Sequence, residues 1–347
     1  MKYYNPEKIL AMKDLDKEEP SIYLISSNRS AGKTTAFLIK ALKHHKETGR
    51  KFALLYRYQY ELNSAEKIFA DVMNIYPELS GELTTVAHAK GLMYEIFMDK
   101  KSMCYALSLN NPDALKKYSP MFSTVDFIIF DEFQTETGKY LPKETEKFMS
   151  LMITVARGGG EQHRNIKVFM LSNKVSIMNP YFITFGIHKR IKKDTKFIRG
   201  HGWVAEFNHN EDASNSISKS GIAKAFSNSD YIKYSTQNDY LIQCDSFIEK
   251  MSGRSKYLFT IQHDGVSYGV REFMDDGIIH VSKKVDGSCQ YIAVFKASDH
   301  TQNTMMLNHF SFLFKNLKDA FNNGHLRFDD VGTKNVIFDI LAIDIYK

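Results

Sequence analysis

Gly32, Lys33 and Thr34 stand in a row, and two adjacent acids, Asp131 and Glu132, stand far downstream; these are the residue types that phosphate chemistry needs. A triphosphate is held where backbone N–H groups converge at a helix N-terminus, with a lysine for its β- and γ-phosphates and a hydroxyl for Mg²⁺. Gly32, Lys33 and Thr34 supply those parts. Ser27, Asn28, Arg29, Ser30, Ala31 and Thr35 complete the run around them and are candidate nucleotide contacts. The pattern asks for a glycine six residues before the lysine, where Ser27 stands. Serine adopts positive φ poorly, so either the loop turns elsewhere or the match is accidental. Asp131 would hold Mg²⁺ through water together with Thr34, and Glu132 would orient and deprotonate an attacking water.

Each of these groups needs an element to carry it. Ile22 to Ile25 is a short apolar run that feeds the loop, and the segment from Thr34 to Lys46 carries Phe37, Leu38, Ala41 and Leu42 at helical spacing, with Gly49 placed to end the helix. Val125 to Phe130 is β-branched and aromatic, as a buried central strand reads when it delivers acids to a sheet's C-terminal edge. Lys51 to Arg57 reads as another buried strand, so the chain begins β-α-β with a parallel crossover. Ile166 to Leu171 is a third, ending in Ser172 and Asn173, polar residues placed to sense a γ-phosphate. The expected fold class is α/β, a P-loop NTPase of the catalytic-glutamate (ASCE) division, in which an additional strand lies between the two motif strands. Taken singly, Gly-Lys-Thr also reads as an ordinary turn and the acid pair as a solvated strand end. Their succession favours one site.

With 347 residues, 43% hydrophobic and 25% charged, the composition is that of a soluble protein with room for two cores. No apolar run approaches a membrane span and the first residues lack a signal-peptide core, so no membrane role and a cytosolic setting are expected. Cys104, Cys244 and Cys289 are too scattered for a disulfide frame or a zinc site. A net charge of +6 permits nucleic-acid contact without requiring it.

Several cations are candidates for such contact. Arg57, at a strand end, reads as a nucleotide, neighbour or DNA contact, or else as a capping salt bridge. Lys116 and Lys117 read as phosphate-facing or as a solvated helix end. Lys189, Arg190, Lys192 and Lys193 lie in the densest basic stretch, Tyr181 to Trp203, which reads as a phosphate-facing hairpin or as a solvated face. Glu61 to Ile75 reads as an amphipathic helix with Ile68, Phe69, Val72 and Met73 inward, and Leu92 to Leu109 as an antiparallel ribbon. A helix from Lys143 to Ala156 ends at Arg157 and three glycines. An arginine so placed can complete a neighbour's site as an arginine finger, worth about 10³–10⁵ in rate, or can simply cap its helix; Arg164 is the second choice.

Asn28 to Thr34, Leu55-Tyr56-Arg57, Phe130-Asp131-Glu132-Phe133, Arg157-Gly158-Gly159 and Leu171-Ser172-Asn173 with Asn179-Pro180-Tyr181-Phe182 resemble the DNA-packaging ATPases of phi29-like bacteriophages, cousins of the large terminases. The resemblance covers most of the first 200 residues. It implies an arginine within the phosphate loop, here Arg29, and a trans-acting arginine, here Arg157. It also implies ATP and Mg²⁺, a homomeric ring expected to be pentameric, a portal and prohead in the host cytoplasm, and double-stranded DNA driven inward. Whether an RNA bridges motor and portal is left open. A helicase or remodelling ring, and a DNA-binding assembly protein without turnover, are the rival readings.

A composition shift at 208–230 suggests a linker subdomain between an ATPase domain, 1–207, and a C-terminal domain, 231–347. There, strands Tyr257 to Gln262, Val266 to Phe273, Gly277 to Val285 and Tyr291 to Lys296, then a helix from Thr301 to Phe321 and an apolar segment from Val336 to Ile345, suggest an α+β, RNase H-like layout. Two-metal phosphodiester cleavage needs converging carboxylates about metals roughly 4 Å apart, and the first strand has none. Asp299, and Asp339 or Asp344, are candidate remnants. The expectation is a vestigial nuclease domain used for docking or DNA guidance, with an active C-terminal nuclease as the rival reading.

Overall fold

The structure, a computed structural model, describes residues 4–135, 139–157, 162–192, 195–225, 247–308 and 311–342. Apolar, largely β-branched and aromatic runs bury both their faces in a mostly parallel sheet. Its strands are β1 (Ile22–Ser27), β2 (Lys51–Tyr56), β3 (Leu83–His88), β4 (Met93–Met98), β5 (Lys101–Ser108), β6 (Val125–Asp131), β7 (Lys167–Asn173), β8 (Phe197–Gly200) and β9 (Trp203–Phe207). They stand in the order β3-β4-β5-β2-β6-β7-β1-β9-β8. Pairing is parallel from β5 through β9 and antiparallel at both ends, where β3 and β4 extend one edge and β8 the other. The ribbon read from Leu92 to Leu109 is β4 and β5, and β7 lies between β1 and β6, as expected.

Register brings the strand ends to one edge: Ser27 pairs with Asn173, and Asp131 with Leu171. After a one-turn helix α1 (Glu7–Leu10), the long helix α2 (Lys33–Thr48) packs Phe37, Leu38, Ala41 and Leu42 on the sheet and stops at Gly49 (φ 69°), whose N–H donates to the His45 carbonyl at 2.8 Å. Phe169 is the centre of that contact, with ring centroids 4.8 Å from Phe37, 5.6 Å from Phe127 and 5.4 Å from Tyr23.

The expected helix from Glu61 is different. Gln59–Phe69 is a 3₁₀ stretch broken at Ser64 (φ −139°), and only Ala70–Ile75 is α-helical (α3). Leu62, Ala65, Phe69 and Val72 are buried while Ile68 and Met73 are only half-buried. The basic stretch also departs from a single hairpin. Asn179 caps a short helix through Phe182 N–H (2.9 Å) with Pro180 at its first position, a second helix covers Ile187–Arg190, and the hairpin begins only at β8.

The chain divides into two compact units, Met1–Ser176 with Thr195–Asn238, and Ile177–Asp194 with Asp239–Lys347. The second has its own sheet, β10 (Lys256–His263), β11 (Val266–Phe273), β12 (Ile278–Ser282), β13 (Ile292–Val294), β14 (Met305–Met306) and β15 (Leu326–Phe328), in the order β14-β13-β10-β11-β12-β15. β10, β11 and β12 form an antiparallel meander; β13 continues it in parallel on β10. The expected helix from Thr301 starts only at Phe312. Thr304 Oγ1 instead accepts from Thr301 N–H at 2.7 Å, closing a turn into β14, and Ser311 caps the helix Phe312–Asn322. Phe247, Phe321, Phe328 and Phe338 pack ring on ring at the centre of this unit.

Candidate nucleotide site

β1 runs into the loop with Ser27 in an ordinary conformation, and the left-handed residues are Ser30 (φ 61°) and Gly32 (φ 83°). The glycine absent at position 27 is therefore not needed. The Ser27 hydroxyl accepts from Lys33 Nζ at 2.8 Å and donates to the Asn28 carbonyl at 3.1 Å. Lys33 Nζ also lies 3.4 Å from both the Asn28 carbonyl and Asn173 Oδ1. Asn28 is fixed in turn: its Nδ2 donates to the Asn210 carbonyl and Ser214 Oγ, both at 2.9 Å, and its Oδ1 accepts from Asn210 N–H at 2.8 Å. Asn210 caps the helix Glu211–Ser218, so a segment read from composition as a linker braces the loop. Ala31 is buried, its carbonyl accepting from Tyr4 N–H at 3.0 Å; Arg29 is exposed; Thr35 is half-buried in the first turn of α2.

Across the sheet edge, Thr34 Oγ1 donates to Asp131 Oδ2 at 2.8 Å, and Glu132 N–H donates to Asp131 Oδ1 at 3.0 Å. Lys33, Thr34, Asn173 and Asp131 thus converge. A hydroxyl and one carboxylate side by side are the donors Mg²⁺ takes when phosphates and water complete its octahedron. Among the described residues no cluster of three or more His, Cys, Asp or Glu could cage a metal by itself.

Burial draws the Lys33 ammonium down to about 8, while the charges of Asp131 and Glu132 pull it back up. Burial raises the Asp131 carboxyl against the Thr34 bond, the Lys33 charge and the Glu132 N–H, which all lower it. Lys174, the next residue after Asn173, is only 4% exposed; burial first and the Lys33 charge second bring it down to about 7. His209 is lowered by burial and then by Lys174. Lys174 and His209, both pushed toward their neutral forms, are beside these groups, and the sequence reading missed them. A single lysine after a strand carries no signal of its own.

Glu132 sits at φ 55°, a left-handed conformation that costs a non-glycine residue about 1–2 kcal/mol. Arg57 holds it there. Its Nη1 donates to the Glu132 carbonyl at 3.1 Å and Nη2 to the Phe133 carbonyl at 2.8 Å, while Nε meets Glu144 Oε2 at 2.9 Å. The guanidinium is stacked against the Phe130 and Tyr140 rings, and Arg57 and Glu144 are 6% and 2% exposed. Of the readings open for Arg57, DNA contact is replaced by this internal strut, because its donors are turned inward onto the Glu132 loop.

Helix α4 (Glu144–Ala156) ends at Arg157, which is exposed with extended backbone. Arg164 instead donates to the carbonyls of Val125 (2.9 Å), Phe122 (2.8 Å) and Val155 (2.9 Å), pinning the base of β6 to α4. Arg164 is therefore a structural arginine, and the second choice for a trans role falls away. Ser172 is buried, its Oγ 3.1 Å from Ser26 Oγ.

Lys116 pairs with Asp113 at 2.5 Å and Lys117 lies over the Tyr118 ring, both exposed on a 3₁₀ segment. Lys189 pairs with Asp339 at 2.5 Å, Arg190 and Lys192 are exposed, and Lys193 lies outside the described residues. Of the acids in the second unit, Asp299 accepts from Asp264 N–H at 3.0 Å, Asp339 is taken by Lys189, and Asp344 is outside the described residues. Among the described residues no helix is long and apolar enough to cross a membrane.

Comparison with known proteins follows the same line. The family described as podovirus DNA encapsidation protein (Gp16) matches residues 1–344. Proteins named DNA packaging protein from Bacillus phage PZA and Bacillus phage B103 are 27% and 29% identical, over 97% and 87% of this chain and 96% and 90% of theirs. A solved chain of the bacteriophage Phi-29 viral genome packaging motor assembly shares the fold at a TM-score of 0.54 and 23% identity, covering 99% of each chain.

Proposed function

The chain belongs to the podovirus DNA encapsidation protein (Gp16) family, and from that premise we propose that it is an ATP-hydrolysing subunit of a ring motor that drives double-stranded DNA into a preformed prohead. The observation that carries the hydrolytic part is the meeting of Thr34 Oγ1 and Asp131 at 2.8 Å beside the buried Lys33, at the edge where β1, β6 and β7 end. With β7 between the motif strands and Glu132 following Asp131, the arrangement supports the ASCE assignment.

In this reading the loop from Ser27 to Gly32 and the first turn of α2 cradle the phosphates, and Lys33 exchanges Ser27 and Asn173 for phosphate oxygens. Thr34 and Asp131 would hold Mg²⁺, which neutralises charge developing on the β- and γ-phosphate oxygens. Glu132 accepts the proton of the attacking water from a backbone held by Arg57, Ser172 and Asn173 lie at the γ-phosphate edge, and Arg29 lies within the loop. Arg157, exposed at the end of α4, is supplied to the neighbouring subunit's site. The ring is expected to be pentameric, with docking to the portal direct or through a structural RNA. Residues 1–207 then carry ATP chemistry and residues 231–347 dock or guide DNA. For the latter, the order β12-β11-β10-β13-β14 supports an RNase H-like layout, and the acid-free β10 supports loss of nuclease chemistry.

The test is prohead-dependent, DNA-stimulated phosphate release. Glu132→Gln is expected to bind ATP with little change but to lose turnover by about 10³-fold, while Lys33→Ala loses binding as well. Normal turnover in either variant would remove the hydrolytic assignment, and strand separation without proheads would favour a helicase.

A further inference from the structure

Gln134, two residues past Glu132, is 2% exposed and uses both ends of its amide. Its Nε2 donates to Ser26 Oγ at 3.0 Å, and Ser26 Oγ is in turn 3.1 Å from Ser172 Oγ. Its Oε1 accepts from Val175 N–H at 3.3 Å and from Ser176 N–H at 3.2 Å. The intervening Phe133 N–H donates to the Leu171 carbonyl at 3.1 Å, so Phe133 is tied to β7 and Gln134 to the residues that follow it.

The position of the two accepted N–H groups gives the amide its meaning. Ser176 is the last residue of the first unit before the chain passes into the second at Ile177. One buried side chain therefore joins the loop bearing the general base, the ends of β1 and β7 at the γ-phosphate edge, and the peptides through which the chain leaves this unit. A buried amide satisfied at both ends has little freedom to let one partner move without the others.

We infer that Gln134 is a positioning residue that couples the state of the γ-phosphate edge to the segment entering the second unit at Ile177, so that hydrolysis and DNA movement occur in a fixed ratio. The inference rests on the proposed ATP-driven packaging. If the unmodified chain with proheads and DNA shows no ATP turnover, that reading fails; the outcomes below concern Gln134 alone.

The experiment measures, with proheads and DNA, the length of DNA packaged per ATP hydrolysed, together with kcat and KM for ATP. Gln134→Ala is expected to leave KM within about twofold, because Lys33 and Thr34 are untouched, and to lower DNA packaged per ATP by about tenfold or more. An unchanged ratio, with turnover and packaging falling together or neither falling, overturns the inference. Gln134→Met serves where the alanine variant does not fold: it fills a similar volume but cannot donate to Ser26 and is at best a weak acceptor for the Val175 and Ser176 N–H groups. Its packaging ratio should fall as the alanine variant's does, and an unchanged ratio also overturns the inference.

Discussion

Replacing Arg57 separates what the guanidinium does for folding from what it does for catalysis. Arg57→Met strands Glu144 at 2% exposure, leaving its carboxylate with the Leu141 N–H bond at 2.8 Å but without its cation. Breaking one side of a buried pair costs about 3–5 kcal/mol. For a unit of this size, each kcal/mol lowers Tm by about 2–4 °C, so a loss of about 6–20 °C is expected in a thermal melt. The double variant Arg57→Met, Glu144→Leu replaces the pair by apolar groups of similar size, and most of that loss should return. ATP turnover should not return. The Glu132 and Phe133 carbonyls do not regain the Arg57 bonds of 3.1 and 2.8 Å, and Glu132 loses that support for its φ of 55°. A melt and a phosphate-release assay on the three proteins decide the matter. A single variant costing under about 1 kcal/mol, or a double variant that regains both stability and turnover, would refute the strut.

Arg157→Ala should fold normally, as the side chain is exposed, yet abolish turnover in an all-mutant ring; turnover in rings mixed with the Lys33→Ala subunit, which supplies an intact Arg157, should exceed that of either parent alone. Arg164→Ala should instead lower Tm, since three backbone carbonyls lose their donor. Lys33 and Lys174, drawn down to about 8 and about 7, should both be held protonated by bound phosphates. ATP binding at pH 8 should then take up protons, and affinity should fall as pH rises further. Calorimetry in buffers of different ionisation enthalpy reads this directly, and a buffer-independent heat would contradict it. Without nucleotide the sign reverses: the unfolded chain binds more protons on Lys174 above about pH 7 and on Lys33 above about pH 8, so stability attributable to them rises with pH up to the ordinary lysine range.

Much of the first sheet could be read in advance because parallel strands buried on both faces leave unbroken apolar runs: Phe52 to Leu55, Phe127 to Phe130 and Val168 to Leu171 all do. The meeting of Thr34 with Asp131 was legible because phosphate chemistry fixes residue type and order. What escaped depends on partners distant in sequence. Arg57 finds its meaning in Glu144, Asn28 in Asn210 and Ser214, and Lys174 in Lys33. Local winding escaped as well. Ser64 breaks the helix after Gln59, and Thr304 closes a turn where a continuous helix was expected, both through backbone choices that apolar spacing does not encode.

The brace on Asn28 bears on how this protein can be dissected. A fragment cut at the compositional break after Phe207 would keep Lys33, Thr34, Asp131 and Glu132, yet would lose the carbonyl, the amide proton and the hydroxyl that clamp the loop's first carboxamide. Weak nucleotide affinity in such a truncated protein would report an unclamped loop, and would say little about the strength of the intact site.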